Sequence, residues 1–552
     1  MKQKVLKIHP ADNVLVALDD LKKGETVSYG NDDVLLADDV NAKHKFVIND
    51  MAQGDTIKMY GLKVGETLQM LPKGSLISTT NVQHAINGFA VRQTDKKQWQ
   101  APDVSRWKDA TFLGYHRPDG SVGVANYWLV IPLVFCETRN VLVLKEALTK
   151  ELGYEPFQEY RIQSCKLVKA YLSGSTPEEL LATELDFSEP DGIEKSRIFP
   201  NVDGIKFLTH DLGCGGTKED ARNLCGLLAG YITHPNVAGA TVLSLGCQNA
   251  QISMLEEEIA KRDAVFSKPF YTFEQQRWGT EKALISAAIK QTFVGLAKAN
   301  EHTRKPSSLN KLVIGLECGG SDGFSGISAN PAIGYTSDIA VALGGTVILS
   351  EFPELCGTEQ ELSDRCVDEA TATRFISLMR SYAARAEAVG SDFDSNPSAG
   401  NIRDGLITDA IKSAGAAKKG GTSPIVHVAD YPEKITKPGL NLLCTPGNDV
   451  ESTTAEVGSG ATIVLFTTGL GTPTGNPVAP VIKISTNTKL YKRMPDIIDI
   501  DAGAIIEGNA TIEEVGESVF DFTIAVANGF VQPKAVLKQQ DDFIPWKRGI
   551  SL

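Results

Sequence analysis

The sequence predicts an α/β protein in which a small β-rich N-terminal domain precedes two mostly parallel α/β domains. Within residues 1–95, short apolar runs alternate with Lys-Gly or Asp/Asn-rich turns, which is typical of a compact β module. From about residue 109, strand-like runs alternate with amphipathic stretches, the pattern of βαβ units and parallel sheets. The length of 552 residues also exceeds a single core and corresponds to about three domains of roughly 100–200 residues each.

The N-terminal domain, residues 1–95, is predicted to contain four short strands joined by similar turns. These strands are Val14–Leu18, Val34–Leu36, Lys45–Ile48 and Ser75–Ser78. Residues 96–108 are polar and contain Pro102, which favours a linker.

The two α/β domains are predicted at residues 109–300 and 301–552. The predicted strands are Trp128–Ile131, the runs beginning at Phe207 and Thr241, Lys311–Ile314, Thr346–Ser350, Thr462–Gly469 and Val481–Asn487. The predicted helices are Val141–Leu148, Ala221–Ala229, Thr280–Ala297 and residues 367–389. Residues 150–205 are acidic and irregular, and we interpret them as an excursion from the sheet.

Composition and charge exclude several classes of function. A formal net charge of −13 argues against binding to nucleic acid or to an anionic membrane, since both need a positive surface. The longest apolar stretch, Tyr127–Cys136, falls short of the ~20 residues that span a bilayer, and the N terminus has no apolar signal segment. Nine scattered cysteines without a CxxC pair favour reduced thiols, so we expect a cytoplasmic protein.

The chain also lacks the glycine patterns of nucleotide sites, both the phosphate-binding loop and the strand-linked dinucleotide fingerprint. No nucleotide cofactor is therefore expected.

The most informative segment is Gly315–Gly323, which follows an apolar run and interleaves reactive side chains with glycines. Its carboxylates, Glu317 and Asp322, are predicted to act as a general base or as metal ligands. The alternative is that they cap the following turn through local hydrogen bonds. Cys318 lies between them and is a candidate metal ligand.

Two further segments run from a strand into Gly-Cys and end at Cys214 and Cys247. Because ligands gather at the carboxyl ends of parallel strands, Cys214, Cys247 and Cys318 are predicted to form one metal site on neighbouring loops of one sheet. The alternative for each thiol is a small buried apolar residue. Cys136 also ends a strand, although without a preceding glycine, and is left outside this prediction.

Seven short segments, spread along the chain, carry a resemblance to a known family. They are Val122–Asn126, Gly246–Cys247, Gly315–Pro331, Glu351–Glu354, Asn396–Ser398, Pro446–Asp449 and Phe466–Gly469. Together they resemble the altronate/galactarate dehydratase family of sugar-acid hydro-lyases. The N-terminal domain likewise resembles the small β-clip SAF domain of that family, with Lys43–Phe46 as the matching basic turn.

The resemblance implies metal-assisted dehydration of a six-carbon sugar acid to a 2-keto-3-deoxy acid. The implied metal is divalent, Fe²⁺ in the first place and Mn²⁺ as the alternative. A base removes the hydrogen at C2, a cation stabilises the enediolate, and the C3 hydroxyl leaves as water. His210, four residues before Cys214, joins Glu317 and Asp322 as a catalytic candidate.

A polyol acid also needs many neutral donors and acceptors, which serine, threonine and asparagine loops supply. The predicted substrate-binding residues are His44, Ser321, Asn330, Asn448, Thr468 and Thr472. Small-molecule sugar acids are the expected partners, no nucleic acid or membrane partner is expected, and a homo-oligomer remains open.

Three positions depart from the family pattern. Ala125, Ala410 and Ala416 stand where the family keeps arginine, glutamate and cysteine. The favoured function is still a sugar-acid dehydratase. The alternatives are a lyase of the same fold acting on another 2-hydroxy acid such as sulfolactate, a hexuronate isomerase, or a non-catalytic sugar-acid-binding paralogue.

Overall fold

The computed structural model describes residues 3–91, 98–155, 159–184, 196–393 and 396–551. Residues 96 and 97 of the predicted linker, and residues 156–158 and 185–195 of the predicted excursion, lie outside the described residues.

The N-terminal region consists of short antiparallel strands. They are β1 (Val5–Leu6), β2 (Val14–Ala17), β3 (Thr26–Tyr29), β4 (Asp32–Leu35), β5 (Lys45–Val47), β6 (Thr56–Met59), β7 (Leu62–Thr67) and β8 (Val82–Gln83). They pair in the orders β1-β2-β5, β3-β4 and β6-β7-β8. The predicted strand Ser75–Ser78 is wrong, because this segment makes only an isolated bridge between Leu76 and Phe46.

The next region carries a four-stranded sheet with helices around it. The strands of this region are β9 (Thr111–His116), β10 (Val122–Gly123), β11 (Tyr127–Pro132), β12 (Gly204–Phe207), β13 (Val237–Ser244) and β14 (Phe270–Glu274), and the last four of them form the four-stranded sheet. Its helices are α1 (Thr138–Thr149), α2 (Glu159–Leu172), α3 (Pro177–Leu181), α4 (Lys218–Thr233), α5 (Ile252–Arg262), α6 (Gln275–Trp278) and α7 (Glu281–Ala299). The sheet has the order β12-β11-β13-β14 and is parallel throughout.

The last region is built around a seven-stranded parallel sheet in the order β18-β19-β17-β16-β20-β21-β22. The strands are β15 (Lys305–Ser308), β16 (Val313–Cys318), β17 (Thr346–Leu349), β18 (Ile425–Ala429), β19 (Gly439–Leu443), β20 (Ile463–Thr468), β21 (Val481–Ser485) and β22 (Ile500–Asp501). The helices are α8 (Ala329–Ala342), α9 (Glu359–Arg365), α10 (Glu369–Glu387), α11 (Ala399–Arg403), α12 (Asp409–Ala416), α13 (Asp449–Gly458), α14 (Thr488–Arg493), α15 (Gly503–Ile506), α16 (Ile512–Ala527) and α17 (Lys534–Leu537).

The two parallel sheets share a hydrophobic core. Leu129 and Ile131 from β11 pack in the same buried cluster as Val464 and Phe466 from β20, with α4 lying against α13. Strand β15 lies outside the seven-stranded sheet and pairs antiparallel with β9, which also pairs with β10. The predicted fold class is therefore confirmed: a small β-rich N-terminal region precedes two parallel α/β sheets. Within the described residues, no helix is long and apolar enough to cross a membrane.

Candidate functional site

The reactive segment predicted at Gly315–Gly323 begins inside strand β16 rather than in the loop after it. Glu317 and Cys318 are the last two residues of β16, which lies between β17 and β20 near the middle of the seven-stranded sheet. Both are buried, with 0% and 2% of their surface exposed. Their position matches the rule that open α/β sheets carry their chemistry at the carboxyl ends of the strands.

Other charged residues converge on this end of β16. Together they form what we call the carboxylate–thiol cluster, whose members are Glu317, Cys318, Glu351, Glu354, Lys412 and Lys419. Sequence reasoning placed Glu351 and Glu354 only among the family landmarks, and gave no role to Lys419. Four of these six residues are separated from Glu317 by more than thirty positions, so only the fold shows that they meet.

Lys419 sits at the centre of the cluster. Its Nζ lies 2.9 Å from Cys318 Sγ and forms an ion pair with Glu351, and all three residues are buried. The second lysine, Lys412, donates to Glu354 Oε1 at 2.5 Å and to Asn396 Oδ1 at 2.8 Å. Each lysine thus pairs with one carboxylate of the cluster.

Glu351 has an unusual backbone conformation that aims it into the cluster. Its φ of 62° lies in the left-handed region, which is rare for residues other than glycine, and its N–H donates to Thr445 Oγ1 at 2.8 Å. Such strain persists only where the surroundings enforce it, and it is concentrated at functional sites.

The carboxyls of the cluster differ in protonation. Burial, reinforced by the neighbouring carboxylate of Glu351, raises the pKa of Glu317 well above its usual value, so Glu317 holds a proton near neutral pH. Burial opposes ionisation of Glu354 as well, but Lys412 and Lys419 outweigh it and lower the pKa of Glu354. One residue of the cluster is therefore a proton donor, and another is a fixed anion.

The cluster also fits a divalent cation. Ligand atoms of Cys318, Glu351 and Glu354 all lie within 4.8 Å of one another. In the described part of the chain, Glu317 Oε2 and Glu351 Oε1 are buried without a hydrogen-bond partner. A mixed thiolate and carboxylate set suits a first-row metal of intermediate softness. A second group of this kind consists of His84, Cys356 and Asp409, of which Asp409 is the first residue of α12.

Asp322 has a structural role that the sequence did not indicate. It is fully buried, accepts from Thr486 Oγ1 at 3.0 Å, and forms an ion pair with Lys43 at 3.1 Å. Lys43 also pairs with Asp404, so the basic turn of the N-terminal region is fastened to the third region. The predicted alternative, local capping, holds too, because Asp322 Oδ1 accepts from the N–H of Phe324.

The basic turn contributes two more side chains to this contact. His44 Nε2 lies 3.0 Å from the carbonyl oxygen of Arg403, and Lys45 Nζ donates to the carbonyl oxygen of Gly405 at 2.6 Å. Burial lowers the pKa of Lys45 to about 7.

Comparison with known proteins covers the same three regions. Residues 309–551 match the C-terminal domain of D-galactarate/altronate dehydratases, residues 114–300 match the second domain of D-galactarate dehydratase/altronate hydrolase, and residues 3–85 match the altronate/galactarate dehydratase SAF domain. The chain is 33% identical to altronate dehydratase of Escherichia coli K12 over 554 residues, covering 99% of each chain. The chain belongs to the galactarate/altronate dehydratase family.

Two other family members are similarly related to the chain. Altronate dehydratase of Bacillus subtilis 168 is 30% identical over 551 residues, covering 99% of each chain. Galactarate dehydratase (L-threo-forming) of Escherichia coli K12 is 30% identical over 531 residues, covering 95% of this chain and 92% of the relative. These altronate and galactarate dehydratases are hydro-lyases, so the predicted enzyme class is confirmed.

The expectation that three thiols share one sheet is wrong. Cys318 ends β16 of the seven-stranded sheet, whereas Cys214 and Cys247 follow β12 and β13 of the four-stranded sheet. Both of these cysteines are exposed, as is Cys136 after β11, while Cys318 is buried. Similar strand-to-loop segments occur in both sheets, and sequence alone does not assign a strand to its sheet.

The structure does not support a catalytic role for His210. Its ring is buried, Nε2 lies 2.7 Å from the carbonyl oxygen of Pro132, and Nδ1 accepts from the N–H of Leu212. Burial lowers its pKa to about 4, so the ring is neutral and both nitrogens are engaged. His210 instead fastens the β12 loop to the end of β11.

The predicted polar residues divide into buried braces and surface groups. Asn330 joins Thr467 to the carbonyl of Gly415, and the Ser321 carbonyl accepts from Asn401. Thr468 accepts from the N–H of Gly471, and Thr472 lies 2.7 Å from the hydroxyl of Thr474. Asn448 caps α13 and is exposed. The preceding residue, Gly447, lies close to the side chains of Glu354 and Asn396, so Asn448 is near the carboxylate–thiol cluster.

The three alanines lie in two different places. Ala125 precedes β11, at the edge of the four-stranded sheet opposite to Cys136, and lines a cavity of about 360 Å³. Two cations that line this cavity are already engaged: Arg304 donates to three backbone carbonyls, and Lys206 pairs with Asp541. Ala410 and Ala416 lie on α12 together with Lys412. Ala416 is one turn after Lys412 and lies on the same face of α12. A cysteine at position 416, as the family resemblance implies, would therefore lie on the face of α12 that carries Lys412.

Proposed function

We propose that the protein is a metal-dependent dehydratase that converts a six-carbon sugar acid to its 2-keto-3-deoxy acid. The observation that carries this proposal is the buried Glu317–Glu351 pair beside Lys419 at the carboxyl end of β16. A dehydratase must take a proton from C2 and give one to the leaving C3 hydroxyl, so it needs an acceptor and a donor close together.

The two carboxyls supply these two roles. Glu317 holds a proton because of burial and of its neighbour's charge, so it is the donor to the departing hydroxyl. Glu351 is paired with Lys419 and keeps Oε1 without a hydrogen-bond partner among the described residues, so it is the acceptor of the C2 proton. The C2–H and C3–O bonds break, water leaves, and the resulting enol becomes the ketone by proton transfer to C3.

Cys318, Glu351 and Glu354 would hold the divalent cation, which is Fe²⁺ by family resemblance. When bound, such a cation polarises the substrate carboxylate and stabilises negative charge on it. The mutual approach of the ligand atoms of these three residues, which all lie within 4.8 Å of one another, supports this assignment. In this arrangement Lys419 orients Glu351, and Lys412 orients Glu354.

Substrate contacts are assigned to polar groups between the cluster and the surface. Asn396 Nδ2 donates to Glu354 Oε1 at 3.3 Å, and Asn396 Oδ1 accepts from Lys412. Asn396 is therefore in direct contact with the proposed metal-binding carboxylate. Asn448 is exposed beside it and is the outermost of the candidates. His44 and Thr472 remain substrate-binding candidates on the partly exposed loops.

The test is an anaerobic assay with Fe²⁺ or Mn²⁺ and a panel of aldonic and aldaric acids that includes altronate and galactarate. We expect one acid to give a 2-keto-3-deoxy product, and we expect exhaustive chelation to abolish its formation. Sulfolactate and hexuronates belong in the same panel, because turnover of either of them alone would contradict the proposal. Binding of sugar acids without any product would indicate a non-catalytic paralogue.

A further inference from the structure

Three exposed thiols follow three adjacent parallel strands of the four-stranded sheet. Cys214 comes after β12, Cys136 after β11 and Cys247 after β13, and β11 lies between the other two. We call this set the thiol edge. The sequence prediction included two of its members with Cys318, whereas the sheet order groups them with Cys136.

Backbone contacts hold the three loops of the thiol edge together. The N–H of Phe135 donates to the carbonyl oxygen of Leu212 at 3.0 Å, which ties the β11 loop to the β12 loop. The N–H of Ala250 donates to the carbonyl oxygen of Gly213 at 3.1 Å, which ties the β13 loop to the β12 loop. A Cβ at Gly213 would lie 2.3 Å from the carbonyl oxygen of Leu133, so only glycine permits this approach.

The sheet order and these two backbone contacts bring the three loops together at one edge of the sheet. Thiolates that are held close together repel one another, so a cation or a metal cluster between them would stabilise the charged forms.

The spacing is too wide for a single metal ion. Two thiolates bound to one ion at about 2.3 Å can lie at most about 4.6 Å apart. Among the described residues, the groups whose ligand atoms all lie within 4.8 Å of one another do not include these three cysteines. The thiol edge therefore suits a larger inorganic group.

Features typical of iron–sulfur sites surround the thiols. Gln276 Nε2 donates to Cys247 Sγ at 3.2 Å, a contact of the kind that tunes cluster potentials. Gly215 and Gly216 follow Cys214 with φ values of 51° and 92°, a left-handed turn whose N–H groups can face an anionic cluster.

We propose that Cys136, Cys214 and Cys247 bind an iron–sulfur cluster at the carboxyl edge of the four-stranded sheet. Three protein thiolates leave one iron of a four-iron cluster free to take an oxygen ligand, such as water or the hydroxyl of a hydroxy acid. The proposal concerns a different set of ligands from the carboxylate–thiol cluster and does not depend on which acid is turned over.

The test is anaerobic reconstitution of the full-length protein with Fe²⁺ and sulfide, followed by desalting and by iron, labile-sulfide and visible-absorption measurements. We expect about four iron and four sulfide per chain with broad visible absorption, as for a [4Fe–4S] cluster. Cys136→Ser, Cys214→Ser and Cys247→Ser should each lose most of the iron and sulfide. Cys165→Ser is the matched control, because Cys165 is an exposed thiol on α2.

Retention of a full cluster by Cys136→Ser, or binding of a single ion with no need for sulfide at these thiols, would overturn the proposal. Circular dichroism of each variant checks that the fold is intact. Because the measurement is of iron and sulfide rather than of product, its failure is distinguishable from failure of the proposed dehydration. Cys318→Ser should keep the iron and sulfide, because Cys318 lies outside the thiol edge.

Discussion

The two parallel sheets both end in cysteines, but they place them in opposite environments. At the carboxylate–thiol cluster, Cys318 is buried with Glu351 and Lys419 and makes contacts with each. At the thiol edge, the three cysteines are exposed, and Cys247 Sγ accepts from the side-chain amide of Gln276. Similar strand-to-loop segments therefore lead to a charge-balanced interior site in one sheet and to an accessible ligand set in the other.

This difference shows what decides the chemistry of a strand end. Buried charge is stable only when it is paired, so an interior site must come with its own counter-ions, here Lys412 and Lys419. Exposed thiols have no such requirement, because solvent can stabilise their charge.

Glu317→Gln should lower kcat by roughly 10²–10⁴-fold, the usual contribution of a general acid. Glutamine keeps the size and hydrogen-bonding capacity of the protonated carboxyl, so the free energy of unfolding should change little. Steady-state kinetics and urea denaturation check the two expectations separately. Unchanged kcat would remove Glu317 from the proposed mechanism.

Lys419→Met should destabilise the fold by about 3–5 kcal/mol, because it leaves buried carboxylates without their cation. Lys22→Met is the matched control: Lys22 pairs with Asp39 at 3.0 Å on the exposed surface, and such pairs contribute about 0–1 kcal/mol. Urea denaturation of both variants measures the difference. Equal effects would show that the cluster is not held by charge pairing.

Acid should destabilise the thiol-edge region through His210. The ring is neutral in the folded state, with a pKa of about 4, and it takes up a proton on unfolding below about 6.5. The unfolded state thus binds more protons between these values, and the free energy of unfolding falls as the pH falls, by about 3 kcal/mol at most. His210→Gln should flatten this dependence in denaturation measured from pH 7 to pH 4, and an unchanged slope would contradict it.

Native thiol labelling should separate the two regions. Cys136, Cys214 and Cys247 should react readily with iodoacetamide, whereas Cys318 should react about 100-fold more slowly, equivalent to about 2.8 kcal/mol of local opening. Peptide mapping by mass spectrometry gives each rate in one experiment. Cys225, which is buried in α4, is the internal reference for a protected thiol. Comparable rates for Cys318 and Cys214 would contradict the contrast.

Much of the fold was predictable because its patterns are local. Strand β20 and helix α7 lie within one or two residues of their predicted positions, since apolar periodicity marks both. The segment Ser75–Ser78 misled because its apolar alternation is used for a turn and a single bridge. Strand β16 extends further than predicted and takes Glu317 and Cys318 into the sheet.

The site was predictable only in part, because its members meet through tertiary contacts. Glu317 and Cys318 were found from their glycine-rich setting, but Lys419 lies 101 positions from Cys318 and carries no local signal. Asp322 and His210 looked reactive by residue type, yet their hydrogen bonds are satisfied inside the fold. Cys136 was set aside for lacking a glycine, whereas the glycine that matters there, Gly213, belongs to the neighbouring loop.

A Co²⁺ titration without sulfide tests whether the carboxylate–thiol cluster is the metal centre of the enzyme. Co²⁺ bound to a thiolate absorbs through charge transfer from sulfur, so the absorption identifies the ligand. We expect one equivalent of Co²⁺ to give this absorption in the wild-type protein and in Cys214→Ser, and we expect Cys318→Ser to abolish it. A charge-transfer band that survives in Cys318→Ser and disappears in Cys214→Ser would contradict the claim.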